Sequence, residues 1–112
     1  VLIGLWILPR AWRLGGVAVT ILLQAAPNHI DLDRLADELS SIEGVVDVHD
    51  LHVWTLTSDM DAASAHLVTA STADSHGVLD DARHCLAARH GISHATLQVE
   101  PDDHEGCDQI TW

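Results

Sequence analysis

Residues 45–70, VVDVHDLHVWTLTSDMDAASAHLVTA, decide the fold. Val45 to Thr57 is rich in β-branched residues and, after Asp50, alternates apolar with polar side chains, the period of a strand with one buried face. SDMD at 58–61 breaks the run, and AASAHLVTA at 62–70 resumes it, so two strands joined as a hairpin are expected. If Leu51 and Val53 face a core together with Ala65 and Leu67, then His52, Trp54 and Leu56 share the other face with Ser64, His66 and Val68.

On either side of the hairpin the period changes to that of a helix. In DLDRLADELSSIEG (31–44), Leu32, Leu35, Ala36, Leu39 and Ile42 recur at helical spacing. Asp31 is placed to cap that helix, Asp33 to favour its dipole and Gly44 to end it. From Ser75 to His90, Val78, Leu79, Ala82, Cys85 and Leu86 share one helical face, with Gly91 just beyond. HATLQVE (94–100) alternates strictly, turning Ala95, Leu97 and Val99 one way and His94, Thr96, Gln98 and Glu100 the other. The order helix, strand, strand, helix, strand predicts a truncated ferredoxin-like αββαβ sandwich of the α+β class, with two helices on one face of a three-stranded sheet.

The start of the chain is of another kind. VLIGLWIL (1–8) is uncharged and begins without a Met, as the cut end of something longer would, and Arg10 and Arg13 follow. Eight apolar residues cannot cross a bilayer, which takes about 20. Residues 1–13 are therefore expected to be the end of a last transmembrane helix, with Trp6 and Trp12 at headgroup depth and the arginines on the cytosolic side. Residues 14–27 read as a linker helix, ended by Pro27, that leads to a cytosolic domain over 28–101 and a flexible acidic tail over 102–112.

Charge narrows the partners. Seventeen acidic residues stand against five arginines, for a net charge of −12, so nucleic acid is an unsuitable partner. An acidic surface concentrates cations, and nine histidines supply ligands for them. The sheet face away from the helices gathers His52, His66, His94 and Glu100, and a bulge before Asp50 would bring His49 beside His66. Imidazole and carboxylate donors suit Zn²⁺ or another divalent transition metal, with Asp50 placed to hold an imidazole N–H. His104 and Cys107 in the tail could fold back to add a thiolate. Cys85, on the apolar stripe, reads as a small core residue. Trp54, a large ring on the exposed face, marks a partner or dimer surface.

The motifs ILLQAAP (21–27), IEGVVDVHDLHVWTL (42–56), SAHLVTA (64–70) and HATLQVE (94–100) together resemble the cation diffusion facilitator family of zinc and related-metal efflux transporters. The resemblance implies a homodimeric, metal-binding cytosolic domain beneath a membrane domain that performs proton-coupled export, and hence a cell-membrane protein. It carries regulatory ligand positions onto His49, His66 and Glu100. The place of a further family histidine falls on Gln98, on the partner surface with Trp54, or shifts to His94. A soluble small-ligand sensor of ferredoxin-like fold is the other reading, although no Gly-rich cradle for a phosphate or carboxylate is evident. An enzyme is not expected, because a hydrolytic zinc site needs an open coordination position and a base in a pocket.

Overall fold

The structure is a computed structural model and describes residues 2–103. Six elements follow in order: α1 (Leu2–Leu22), α2 (Leu32–Ser40), β1 (Val45–Thr57), β2 (Met60–Thr69), α3 (Ser75–His90) and β3 (His94–Pro101). After α1 the order is αββαβ, and the three-stranded sheet makes this a ferredoxin-like α+β domain.

Each helix starts where its chemistry dictates. Asp31 Oδ1 accepts the Arg34 backbone N–H at 3.1 Å, and Asp74 Oδ1 accepts that of His76 at 3.1 Å, so one orphan amide in each first turn is satisfied. Gly91 closes α3 in the left-handed region at φ 69°, as its position beyond the apolar stripe predicts. The end of α2 departs from expectation. The helix stops at Ser40 with Ser41 as its cap, and Ser41 Oγ turns back onto the Glu38 carbonyl at 2.7 Å. Gly44 serves instead in the turn into β1, at φ 92°, where a Cβ would lie 2.8 Å from that of Ala73.

The sheet runs β1-β2-β3, antiparallel between the first pair and parallel between the second. Parallel neighbours need a crossover, and α3 supplies it. Leu35 and Leu39 of α2, Val78, Ala82, Cys85 and Leu86 of α3, and Val53, Ala63 and Leu67 of the strands form one apolar core with Ile30 and Ile92. Burying each of the large aliphatic side chains contributes about 1.5–3 kcal/mol. Since side chains alternate along a strand, the neighbours of Leu67 on β2 face away from the helices, and that second face carries His66.

α1 is a single 21-residue helix, continuous through Pro9 and across residues 13 and 14, with no buried side chain. By length and composition it could cross a hydrocarbon layer. Arg10 and Arg13 lie mid-helix, and the Arg10 guanidinium stacks 3.8 Å from the Trp6 ring centre.

Candidate metal centre

β1 is thirteen residues long, and its register against β2 slips once in the middle. His49 pairs with His66 and His52 with Ser64, so three steps on β1 match two on β2. Asp50 absorbs the extra residue with φ at 49°, a conformation Asp tolerates better than most side chains. The bulge has a simple effect on facing. Val48, Leu51 and Val53 are all directed to the core, and His49 and His52 both come to the opposite face.

Opposite His66, β3 presents Gln98, and two residues on, Glu100 pairs with Val68. His66 Nδ1 lies 2.7 Å from Glu100 Oε1, and His49 Nε2 lies 3.4 Å from Glu100 Oε2. The two imidazoles meet edge to face with centroids 5.0 Å apart. Glu100 is 4% exposed, and burial of a carboxylate is costly unless other groups compensate it. Gln98 Nε2 donates to Glu100 Oε1 at 2.7 Å, fixing the carboxylate on the side away from His49. Asp50 Oδ2 stands 3.6 Å from His49 Nδ1, the remaining nitrogen of that ring.

Whether these residues suit a metal can be judged from their donor atoms. One atom from each of His49, His66 and Glu100 lies within 4.8 Å of the other two. Donors 2.0–2.1 Å from a tetrahedral zinc stand roughly 3.3 Å apart, close to the spacings here. His66 Nδ1 is also buried and makes no hydrogen bond, although Glu100 Oε1 stands 2.7 Å away as an ion-pair partner. A buried nitrogen in that position is costly unless something else engages it. Two imidazoles and a carboxylate are a borderline-soft, zinc-type set.

Comparison with known proteins identifies the family. Residues 27–102 match the family described as "Cation efflux protein, cytoplasmic domain". The chain belongs to the cation efflux family. It is 37% identical over 101 residues to the metal cation efflux system protein CzcD of Cupriavidus metallidurans, an alignment covering 89% of this chain and 32% of that protein. It is 45% identical over 80 residues to the probable proton-coupled zinc antiporter SLC30A3 of Mus musculus, covering 71% of this chain and 21% of the relative. The chain thus spans a third or less of these relatives. Among solved structures it resembles the metal-bound C-terminal domain of the CzcD transporter of Cupriavidus metallidurans, with TM-score 0.60, 32% identity, and coverage of 63% of this chain and 99% of that one.

Within this cation efflux domain the other sequence-derived candidates scatter. His52 shares the face of His49 and His66 but is exposed and pairs with Ser64, outside the close cluster. His94 pairs with Ala62 at the opposite end of β3 from Glu100, six residues or roughly 20 Å along the strand. Of the two places considered for a further histidine, only Gln98 adjoins the site, and it does so as an amide. His104 and Cys107 lie outside the described residues. Trp54 is half-buried and lines a cavity of about 390 Å³ with Gln24, Ala26, Leu51, His52 and Ser64, beside the connection from α1. That connection is tied to the hairpin by His29 Nε2, 2.8 Å from Asp61 Oδ2.

A second group of donors was not legible in the sequence. Glu38 of α2 meets Cys85 and His90 of α3: its Oε2 lies 3.0 Å from His90 Nε2 and 3.8 Å from Cys85 Sγ. Arg34 Nε donates to Oε1 at 2.9 Å, and Arg89 Nη1 stands 3.5 Å from Oε2. The Arg34 hydrogen bond, seconded by that of His90, holds the Glu38 carboxyl well below its usual range, at about 2. Burial, reinforced by the Glu38 charge, pushes the Cys85 thiol up. Cys85 is buried, as its place on the apolar stripe implied, yet its sulfur faces an anion at the core's edge. His90 is five residues from Cys85 in the sequence, and only the packing of α2 on α3 brings them to a common carboxylate.

Proposed function

We propose that this chain is the cytosolic metal-sensing and dimerising part of a divalent-cation efflux transporter, with zinc the metal best suited to its ligands. The observation that carries the reading is the convergence of His49, His66 and Glu100 on the sheet face without helices. Bound there, a divalent ion would supply two positive charges to a chain that carries −12. Two such chains repel each other, so partial neutralisation favours their approach. His49 and His66 provide the neutral donors, Glu100 the anionic one, and Gln98 and Asp50 hold the carboxylate and the His49 ring in place. Trp54 and Gln98 are the residues assigned to the partner surface.

In this reading residues 1–13 end a membrane span and residues 14–27 link it to the domain. The position of Arg10 and Arg13 supports that division: a helix spanning from Leu2 to Leu22 would hold both near the bilayer centre, at several kcal/mol. The transport activity, by proton-coupled exchange, belongs to the parent protein. The domain itself is a binding device and not a catalyst.

The test is calorimetric titration of the 112-residue chain with Zn²⁺, paired with small-angle scattering. Binding and compaction of a dimer are expected, and His49→Ala/His66→Ala should lose the compaction together with the zinc equivalent held by the His49 cluster. No binding, or equal binding by the double variant, would overturn the assignment.

A further inference from the structure

A second cation site is suggested on the helical side of the sheet, separate from the His49 cluster. We propose that Glu38, Cys85 and His90 form a site for a borderline-soft divalent ion of the zinc type, joining α2 to α3. A Glu Oε2, a Cys Sγ and a His Nε2 all lie within 4.8 Å of one another, so one ion can contact all three after small side-chain movements. Thiolate, imidazole and carboxylate together select zinc-like ions over magnesium or calcium, which prefer oxygen donors alone.

The carboxylate is already oriented for this. Arg34 occupies Oε1 and leaves Oε2 as the atom that faces both Cys85 and His90. That arrangement, in which an outer partner fixes one oxygen while the other points at the donors, is how ligating carboxylates are commonly held. Arg89 is the competitor for Oε2, but it reaches only 3.5 Å and its side chain is 63% exposed, so it can withdraw to solvent. Beside the three donors lies a cavity of about 270 Å³ lined in part by Glu43, Asp81, His84 and Cys85. It leaves room for a water or one of these side chains as a fourth ligand. As the metal–sulfur bond forms, the Cys85 thiol gives its proton to solvent. The resulting Cys⁻ and Glu⁻ then balance the ion's two charges.

The alternative occupant of the same geometry is no ion at all, only a His90–Glu38–Arg bridge between helices. Cobalt distinguishes them, because a sulfur-to-Co(II) charge-transfer band reports thiolate ligation and nothing else in this chain. The chain has two cysteines, so in Cys107→Ser the band can arise only from Cys85. The experiment titrates Co²⁺ into the 112-residue Cys107→Ser chain under reducing conditions, with circular dichroism to confirm the fold. The expected result is a saturable near-ultraviolet band, abolished by Cys85→Ser. His90→Gln and Glu38→Gln, at the more accessible end of the site, should each weaken the titration by about tenfold or more. Absence of the band from the folded chain overturns the proposal, as does a band whose affinity is unchanged in both of the latter variants. The His49 cluster contains no sulfur, so it can take up cobalt but contributes nothing to the band, and the presence or absence of the band reports on Cys85 alone.

Discussion

Asp50 is the residue on which the geometry of the His49 cluster turns, and replacing it by Val tests the argument. At φ 49°, a side chain with a branched Cβ meets the carbonyl that follows it, and the left-handed conformation costs an L-residue roughly 1–2 kcal/mol. Asp50→Asn keeps the shape and the tolerance for this conformation while removing the charge near His49, so it is the reference. Relative to Asn, the Val variant should lose about 1–2 kcal/mol of folding free energy in metal-free chain. With urea slopes of about 1–3 kcal/mol per molar for small domains, the midpoint should fall by roughly 0.3–2 M. The chain can relieve the strain only by straightening β1, and straightening shifts residues N-terminal to Asp50 by one position. His49 would then turn toward the helices and Val48 away from them. Zinc affinity, read by calorimetry, should therefore fall by up to about tenfold, the equivalent of 1.4 kcal/mol. Val and Asn variants with the same urea midpoint and the same zinc affinity would refute the link between bulge and site.

Three further outcomes follow from the packing and the charges. Leu67→Ala, at a fully buried strand position between the helices and the sheet, should cost about 2–5 kcal/mol by urea unfolding, while leaving His66 on its own face. Gly44→Ala should destabilise more than Gly91→Ala in thermal melts: both residues have positive φ, but only at Gly44 does the new Cβ meet another, 2.8 Å away on Ala73, so the reverse order would contradict the turn described. Glu38 titrates at about 2 in the folded chain against 4.5 for an unperturbed group, so it binds fewer protons folded than unfolded. Its stabilising contribution is present above pH 4.5 and lost as pH falls toward 2, and acid unfolding of the metal-free chain should be shallower over that window in Glu38→Gln.

Much of the fold could be read from periodicity. The limits of α3, the strand at 94–100 and the hairpin come directly from the apolar spacing around Leu86, Leu97 and Leu67. The end of α2 did not, since Gly44 suits a helix stop and a tight turn equally, and only the proximity of Ala73 explains its use in the turn. His49 and His66 were legible as neighbours because strict alternation fails at Asp50 and a bulge is the ordinary remedy. Glu100 followed from its parity on β3. His94 has the same parity, and its exclusion depends on distance along the strand, which parity does not contain. The meeting of Glu38, Cys85 and His90 was out of reach for a deeper reason. Helical periodicity says which face of a helix is apolar but not which residues of another helix lie across its border.

The three donors of the His49 cluster are held with unequal stiffness. Glu100 belongs to a strand end fastened at several points: its carbonyl accepts from Thr69 Oγ1 at 3.2 Å, and the Asp102 amide donates to the Thr69 carbonyl at 2.9 Å. His49 belongs to the irregular stretch of β1, where one residue has no opposite number on β2. If an ion draws these donors together, the expectation is a vise with one fixed jaw and one sprung jaw, in which β1 takes up the movement. Amide exchange should slow most at Val48 to Leu51 when zinc is added and little along β3. β1 is also the strand whose Trp54 borders the connection from α1, so the jaw expected to move is the one nearest α1.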